Sequence, residues 1–537
     1  MRHIPQTIVL IALAGSFFLT GCTKDFVSTN SDPATIPNTS AAQLFNRVLS
    51  SLPVAYYEQM FIYNDLCSGY SQLTTVPNQG SLTLGNVREG VATLWPKYYS
   101  TLANIRNLQS MLSGIADQDL ARNEWAMLKV INAYLCFRMT DLWGDIPYSQ
   151  AGYAYGVGGK INTKPGYDSQ ETIYRSLLAD LKWANDSSTS ASSDGQGNAY
   201  LNYSQYETLF GNDMTKWVKF ANALRLRYAL RMSAKDPQDA MAVIQDVLGN
   251  NEPLPQAGED MGLFPNALGT SNWNASVDDG IFDAFVNDLS GTGLRMGTTI
   301  WNTMNGNSDS VADPRIPIFF FPNDSSLYVA CPQQGATEQG NPYGQPTNLS
   351  KRGNFSSVNL FLTNRSSTDQ IPQLFITAAE VDFLLAEIYA RPDLGMQNLA
   401  KAQTYYQLGI QTSINFWYSV PVNDPGWVPQ PVAPNTAQVD SFLNSAPVQW
   451  NAANALSLIY TQEWIDGFWE PWEDYALTRR TGNLTPGGAL PSSSPLYQFY
   501  RLPYDVSEAN YNTTNYNAEI QLLGGADNTS AKVWWMP

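Results

Sequence analysis

Apolar residues recur at helical spacing over most of this chain, and the helices they predict fall into pairs. From Ala41 to Leu66, the residues Leu44, Val48, Leu52, Tyr56 and Met60 follow at four-residue steps, which places them on one helical face. Pro53 inside this run predicts a kink or a break into two shorter helices. Residues 89–112 and 117–142 form the next two helices, joined by a short Ser-Gly turn and therefore antiparallel. Residues 169–183 continue the series, with Asp168 or Ser169 as the cap and Glu171 at the positive helix end. Residues 215–233 and 237–248 make another pair. The pattern then fails between about 251 and 373, where Gly, Asn, Ser and Pro dominate and only short β-like pieces stand out, such as 315–321 and 359–363. So long an irregular stretch inside a compact protein carries function or forms a decorating lobe. Helices resume at 376–390 and 398–418, and a Pro-rich crossing at 420–434 leads to a strong helical stretch at 451–480.

The pair at 376–418 has tetratricopeptide character: Leu385, Ala386 and Tyr389 on the first helix, Ala402, Tyr406 and Gly409 on the second, after about four extra loop residues relative to the ~34-residue repeat. Small residues let such helices approach while the rings fill the groove. The fold class read here is mostly α, a tetratricopeptide-like helical scaffold (residues 39–250 and 374–482) carrying an irregular ligand lobe (about 251–373) and a loop-rich C-terminal segment (483–537), all one domain. Ahead of it, residues 1–21 read as a secretory signal: Arg2 and His3, then an apolar run from Ile8 to Leu19 too short to span a bilayer stably. The ending Leu19-Thr20-Gly21-Cys22 resembles a bacterial lipobox, which makes Cys22 the lipid-attachment residue and 22–38, polar and turn-rich, its tether.

Without residues 1–21, which carry one arginine and no acid, the chain has a net charge of −18. That surface argues against binding nucleic acid or an anionic bilayer, and selects no substrate. The only histidine, His3, leaves with the signal, which excludes Ser-His-Asp and Cys-His catalysis and imidazole ligation of zinc. Cys67, Cys136 and Cys331 are an odd set, so no disulfide framework is implied, and buried free thiols are the expectation. No cofactor and no metal is called for.

Several motifs together resemble the SusD/RagB family of outer-membrane nutrient-binding lipoproteins. Thr140-Asp141-Leu142-Trp143-Gly144-Asp145-Ile146-Pro147-Tyr148 is close to that family's helix-ending Trp-Gly-Asp-Ile/Val-Pro run. In physical terms Gly144 ends a helix, Trp143 plugs the core and Pro147 directs the chain into an extended segment. Lys164-Pro165 through Tyr174, the Trp217 to Arg227 element, Asp313-Pro314-Arg315 and Ala379-Glu380 through Glu387 follow in the family's order. The Ala379–Glu387 helix has one residue fewer than the family's between leucine and alanine, and Arg501-Leu502-Pro503-Tyr504 lacks its second proline. The resemblance implies four tetratricopeptide-like units and an irregular ligand lobe. It further implies an outer-membrane, lipid-anchored, surface-exposed protein, not an enzyme, that covers a TonB-dependent SusC-like transporter. Its cargo would be a glycan or oligosaccharide, or a peptide as in the RagB branch.

Two sets of residues are candidates for chemistry. Sugar rings stack their C–H faces on Trp and Tyr, and of the chain's 15 Trp and 29 Tyr those not taken up by the core are available for it. Tyr70, Trp273, Trp301 and Tyr343 lie in Gly/Asn/Ser-rich surroundings and are the ring candidates, with Asn272, Asn274 and Arg295 as polar partners. The segment Glu463 to Asp474 instead invites a hydrolase reading. On a continuous helix at about 100° per residue, Glu463, Asp466, Glu470, Glu473 and Asp474 fall within about 100° of arc, opposite Trp464, Phe468, Trp472 and Tyr475. Such carboxylates could act as glycosidase acid and nucleophile or bind calcium. The plainer alternative is an amphipathic helix, kinked at Pro471, whose acids meet arginines such as Arg479 and Arg480.

Overall fold

A computed structural model describes residues 40–75, 84–188, 203, 206–264, 293–305, 311–332, 354–359, 372–422, 427 and 429–537. Cys22, Asn272, Trp273, Asn274 and Tyr343 lie outside the described residues.

Helices α1 (Ala41–Leu49), α2 (Leu84–Ser113), α3 (Arg122–Trp143), α4 (Gln170–Ser187), α5 (Met214–Met232) and α6 (Pro237–Gly249) follow the predicted series, each packed against its neighbour in sequence. Local chemistry sets their starts. Ser40 and Gln43 form a capping box on α1, and Asp213 accepts from the Thr215 and Lys216 amides at α5. Asp236 caps α6, with Pro237 in its first turn. At α4 the cap is Ser169, which accepts from the Thr172 amide. Asp168 is engaged elsewhere, its carboxylate accepting from the amides of Tyr148 (3.1 Å) and Ser149 (2.8 Å). This supports the short antiparallel pairing of β2 (Ile146–Pro147) with β3 (Tyr167–Asp168). Gly144 closes α3 at φ 84°, ψ −123°, a conformation that disfavours any side chain, and its N–H donates to Thr140 O at 2.7 Å. Trp143 is buried beneath it and donates to Pro503 O, while Arg501 donates to Trp143 O, so the closing segment is pinned to the Trp-Gly-Asp helix end.

Pro53 produces a break rather than a kink. After α1 the chain re-forms as a π-helix at Glu58–Ser68 in which every residue is buried. The second large helical layer is α9 (Ala378–Ala390), capped by Thr377, against α10 (Leu399–Val422). Gly409 makes the close approach possible: a Cβ there would lie 2.7 Å from the buried Phe383 ring. Gly409→Ala is therefore expected to destabilise the protein by about 1–3 kcal/mol through overpacking, read as a lower urea midpoint at unchanged m-value.

In chain order the irregular lobe lies between α6 and α9. Its described part holds a four-stranded sheet in the order β1 (Thr74–Thr75), β5 (Arg295–Met296), β7 (Ser357–Val358), β6 (Phe320–Phe321), and a second pairing of β4 (Met261–Leu263) with β8 (Gln373–Ile376). Two short helices complete it, α7 (Thr298–Met304) and α8 (Ile316–Phe319). The predicted β-like piece at 315–321 is thus one helical turn followed by a two-residue strand, and Asn359 lies just past β7. The Asp313-Pro314-Arg315 turn anchors the lobe. Arg315 is buried, forks onto Asp313 (3.0 and 2.7 Å) and donates to Ser413 Oγ (2.9 Å) and Gln462 Oε1 (2.6 Å).

The stretch predicted as one helix at 451–480 is two. Helices α12 (Ala455–Asp466) and α13 (Pro471–Thr481) meet at a 3₁₀ turn, Gly467–Trp469, with α11 (Thr436–Leu443) before them and α14 (Val506–Tyr511) and α15 (Thr513–Leu522) after. Cys67, Cys136 and Cys331 are buried, and none of them is bridged to another described cysteine. Among the described residues, no helix is long and apolar enough to cross a membrane.

Candidate ligand-binding site

Helix α7 rises from β5 at the edge of the lobe and presents Trp301, which is half-buried. Tyr328, on the loop that follows β6, stacks on it with ring centroids 6.1 Å apart and planes at 24°. Both rings keep part of their surface in solvent, and burial on the other side raises the Tyr328 hydroxyl above its ordinary pKa. Asn302 and Asn305 are exposed on the same short helix, and Leu327, 59% exposed, stands beside Tyr328. The base is firm. Thr299 donates to Gln72 Oε1 (2.8 Å), Gln72 donates to Gly487 O (2.8 Å), and the Gly297 N–H donates to Leu73 O (3.2 Å). An indole and a phenol ring with adjacent amides on a rigid base suit a ligand with apolar faces and polar edges.

Two other candidates of the sequence lie inside the fold. Tyr70 is buried, set edge-on against Tyr475 at 4.9 Å, and burial pushes its hydroxyl up to about 12. Arg295 is 1% exposed within β5, opposite Thr75 and Ser357. Neither side chain offers a face to solvent. Their Gly- and Ser-rich surroundings mark strand edges and tight turns here rather than surface loops. Tyr328 escaped the sequence reading because nothing local ties it to a tryptophan 27 positions earlier. Tyr57, 46% exposed after the Pro53 break, stacks on Phe61 at 5.6 Å and is a further exposed ring.

The acidic segment meets arginines, Arg480 among them, as the plainer reading expected, but not on one solvent-facing helix. Its carboxylates do not form a stripe on one helix, because the Gly467–Trp469 turn separates them, and they point into the core. Glu473 pairs with Arg227 (2.9 Å) and Arg231 of α5, and Glu463 lies 4.0 Å from Arg480. Arg480 forks onto Glu387 of α9 (2.6 and 2.9 Å). Burial pushes the Glu387 carboxyl up, but Arg480 and Arg391 together outweigh it and hold it below its ordinary value. Among the described residues, Arg479 forms no ion pair. It donates to the carbonyls of Asp141 (2.9 Å) and Tyr500 (2.7 Å) and is sandwiched between the rings of Tyr475 and Trp535. Among the described residues, no group of three or more acidic or cysteine side chains is arranged to hold a metal ion.

A helical-repeat scaffold with an aromatic-bearing lobe is the class this architecture defines. Residues 33–494 match the family model SusD-like_2, described as "Starch-binding associating with outer membrane", and the chain belongs to that family. Among solved structures, a chitin-binding protein is similar at 22% identity and a TM-score of 0.68, over 93% of this chain and 100% of its own. A SusD-like protein from Bacteroides thetaiotaomicron is similar at 20% identity and a TM-score of 0.66, over 92% and 98%. A Bacteroidetes SusD-like protein matches at 18% identity and a TM-score of 0.67, over 93% and 100%. At these identities the likeness speaks to fold. No curated protein matches the chain significantly.

Proposed function

We propose that this chain is a non-catalytic, glycan-binding lipoprotein of nutrient uptake at the outer membrane. It captures an oligosaccharide on its lobe and delivers it to a TonB-dependent SusC-like transporter, held to the membrane by lipid on Cys22. The half-exposed Trp301–Tyr328 stack carries the reading, because a pyranose presents C–H faces to such rings and hydroxyls to the neighbouring amides. Membership of a family described as starch-binding, and a fold shared with a chitin-binding protein, favour sugar over peptide as the cargo. The hydrolase reading loses its support from geometry: Asp466, Glu470, Glu473 and Asp474 are each less than a tenth exposed, out of reach of a polymer. Trp273, Tyr343, Asn272 and Asn274 remain proposed contacts of the same lobe.

Trp301→Ala is expected to weaken glycan binding by at least ~1 kcal/mol, about a fivefold rise in Kd, by titration calorimetry. Tyr328→Ala should weaken it less, since the indole is the larger platform. Affinity unchanged in both variants removes the stack from the site.

A further inference from the structure

Glycan capture leaves the Glu463–Asp474 carboxylates without a role, although they surround an internal space. Glu463, Asp466, Glu470 and Asp474 line a cavity of about 20 Å³, room for about one water molecule, at the break between α12 and α13. Gly467 forms part of its wall, and a Cβ there would lie 2.5 Å from Asp474 Oδ1. Only glycine lets that carboxyl pack against the turn.

The cations facing this space are engaged elsewhere. From α5, Arg227 is held by Glu380 of α9 (2.6 Å) and Glu473 (2.9 Å), leaving Glu470 at 3.8 Å. Arg231, also on α5, is held by Asp141 of α3 and by Glu473. Arg480 and Arg391 share Glu387 of α9, which leaves Arg480 4.0 Å from the other oxygen of Glu463, Oε1. Arg138 of α3 turns to Glu58 of the π-helix (3.4 Å). From the remaining side, α10 and the α9 cap present hydroxyl and indole groups, Thr377 donating to Asp466 Oδ2 at 2.8 Å with Ser413 and Trp417 nearby; the charge behind them is Arg315, which is held by Asp313 and donates to Ser413. Among the described residues, no protein donor lies within hydrogen-bond distance of three buried carboxyl oxygens, Glu463 Oε2, Glu470 Oε2 and Asp474 Oδ2. Ionised carboxylates in that setting are costly by several kcal/mol each, and such groups neutralise instead.

We infer that Glu463, Glu470 and Asp474 are held as neutral carboxylic acids, and that their protons keep the α12–α13 break closed beneath the ligand lobe. The mechanical link is Phe468 in the break. It stacks on Phe319 (4.9 Å, 10°) and meets Phe320 of β6 edge-on (5.0 Å), so the break seats the lobe sheet. Electrostatics point the same way: burial and the surrounding carboxyls push Glu470 and Asp474 well up, and burial pushes Glu463 to about 8 despite Arg480. With folded-state values raised, the stabilisation is full below the unfolded carboxyl range near ~4 and is lost as pH rises through the folded values. For Glu463 that loss runs up to about pH 8.

Infrared spectroscopy of the full chain tests this through the carboxylic C=O stretch, with Glu470→Gln and Glu463→Gln compared at pH 7 and each variant serving if the other fails to fold. The expected result is a protonated-carboxyl band at pH 7 that loses intensity in each variant. The thermal midpoint should also fall less steeply with rising pH in the variants than in the wild type. A band unchanged by the substitutions, identical pH slopes, or a midpoint set by added potassium or calcium instead of pH overturns the inference.

Discussion

Arg231→Met is expected to lower the stability of the scaffold by about 3–5 kcal/mol, measured by urea unfolding followed by circular dichroism. Arg231 is 5% exposed, and its guanidinium joins Asp141 on α3 to Glu473 on α13, so one side chain ties two helical layers together. It also lies over the Tyr228 ring at 5.0 Å. Methionine keeps most of the volume and the packing, so the loss isolates the charge. Removing the cation strips Asp141 of its ion partner and leaves Glu473 with Arg227 alone, both inside the fold, whereas deleting a surface pair costs at most about 1 kcal/mol. A loss below about 1 kcal/mol would mean that Arg231 fills space without its ion pairs contributing to the fold.

Trp535→Ala is the second large effect, about 3–5 kcal/mol by the same assay. The indole is fully buried near the end of the chain, donates its Nε1–H to Asp141 Oδ1 at 2.8 Å and covers the Arg479 guanidinium at 4.8 Å. Alanine removes the ring, the hydrogen bond and the lid on a buried cation together. Trp534→Ala should cost clearly less, because Trp534 is only half-buried and meets Tyr174 at the rim. Trp535 and Arg231 share Asp141 as a partner, so the double variant should depart from additivity by about 0.5–3 kcal/mol.

These two residues mark where sequence reading works and where it stops. Helix pairs were legible wherever one face is apolar and the other wet, as in α4, whose Ser169 cap and Glu171 follow directly from residue type. Gly144 was legible because a helix end that needs positive φ leaves few other choices. The π-helix was not, since Glu58, Gln59, Asn64 and Asp65 are buried with the apolar residues and no amphipathic period distinguishes the two faces. The acidic segment misled for the same reason. Periodicity assigns charges to water, while here Arg227 and Arg231, more than two hundred positions away, draw Glu473 inward. Of the candidate site, Trp301 was legible as an aromatic ring in a loop-rich setting. Its stacking partner Tyr328 and the interior position of Arg295 depend on how the lobe strands pair, which composition does not encode.

The central claim is capture of a glycan without cleaving it. Residues 23–537 incubated with a panel of polysaccharides, oligosaccharides and peptides, with product analysis on every complex, test it most directly. Saturable binding to at least one glycan, weakened by Trp301→Ala, with the polymer recovered intact, is the expected result. Saturable binding to peptides alone, or glycan cleavage that survives purification, would contradict it.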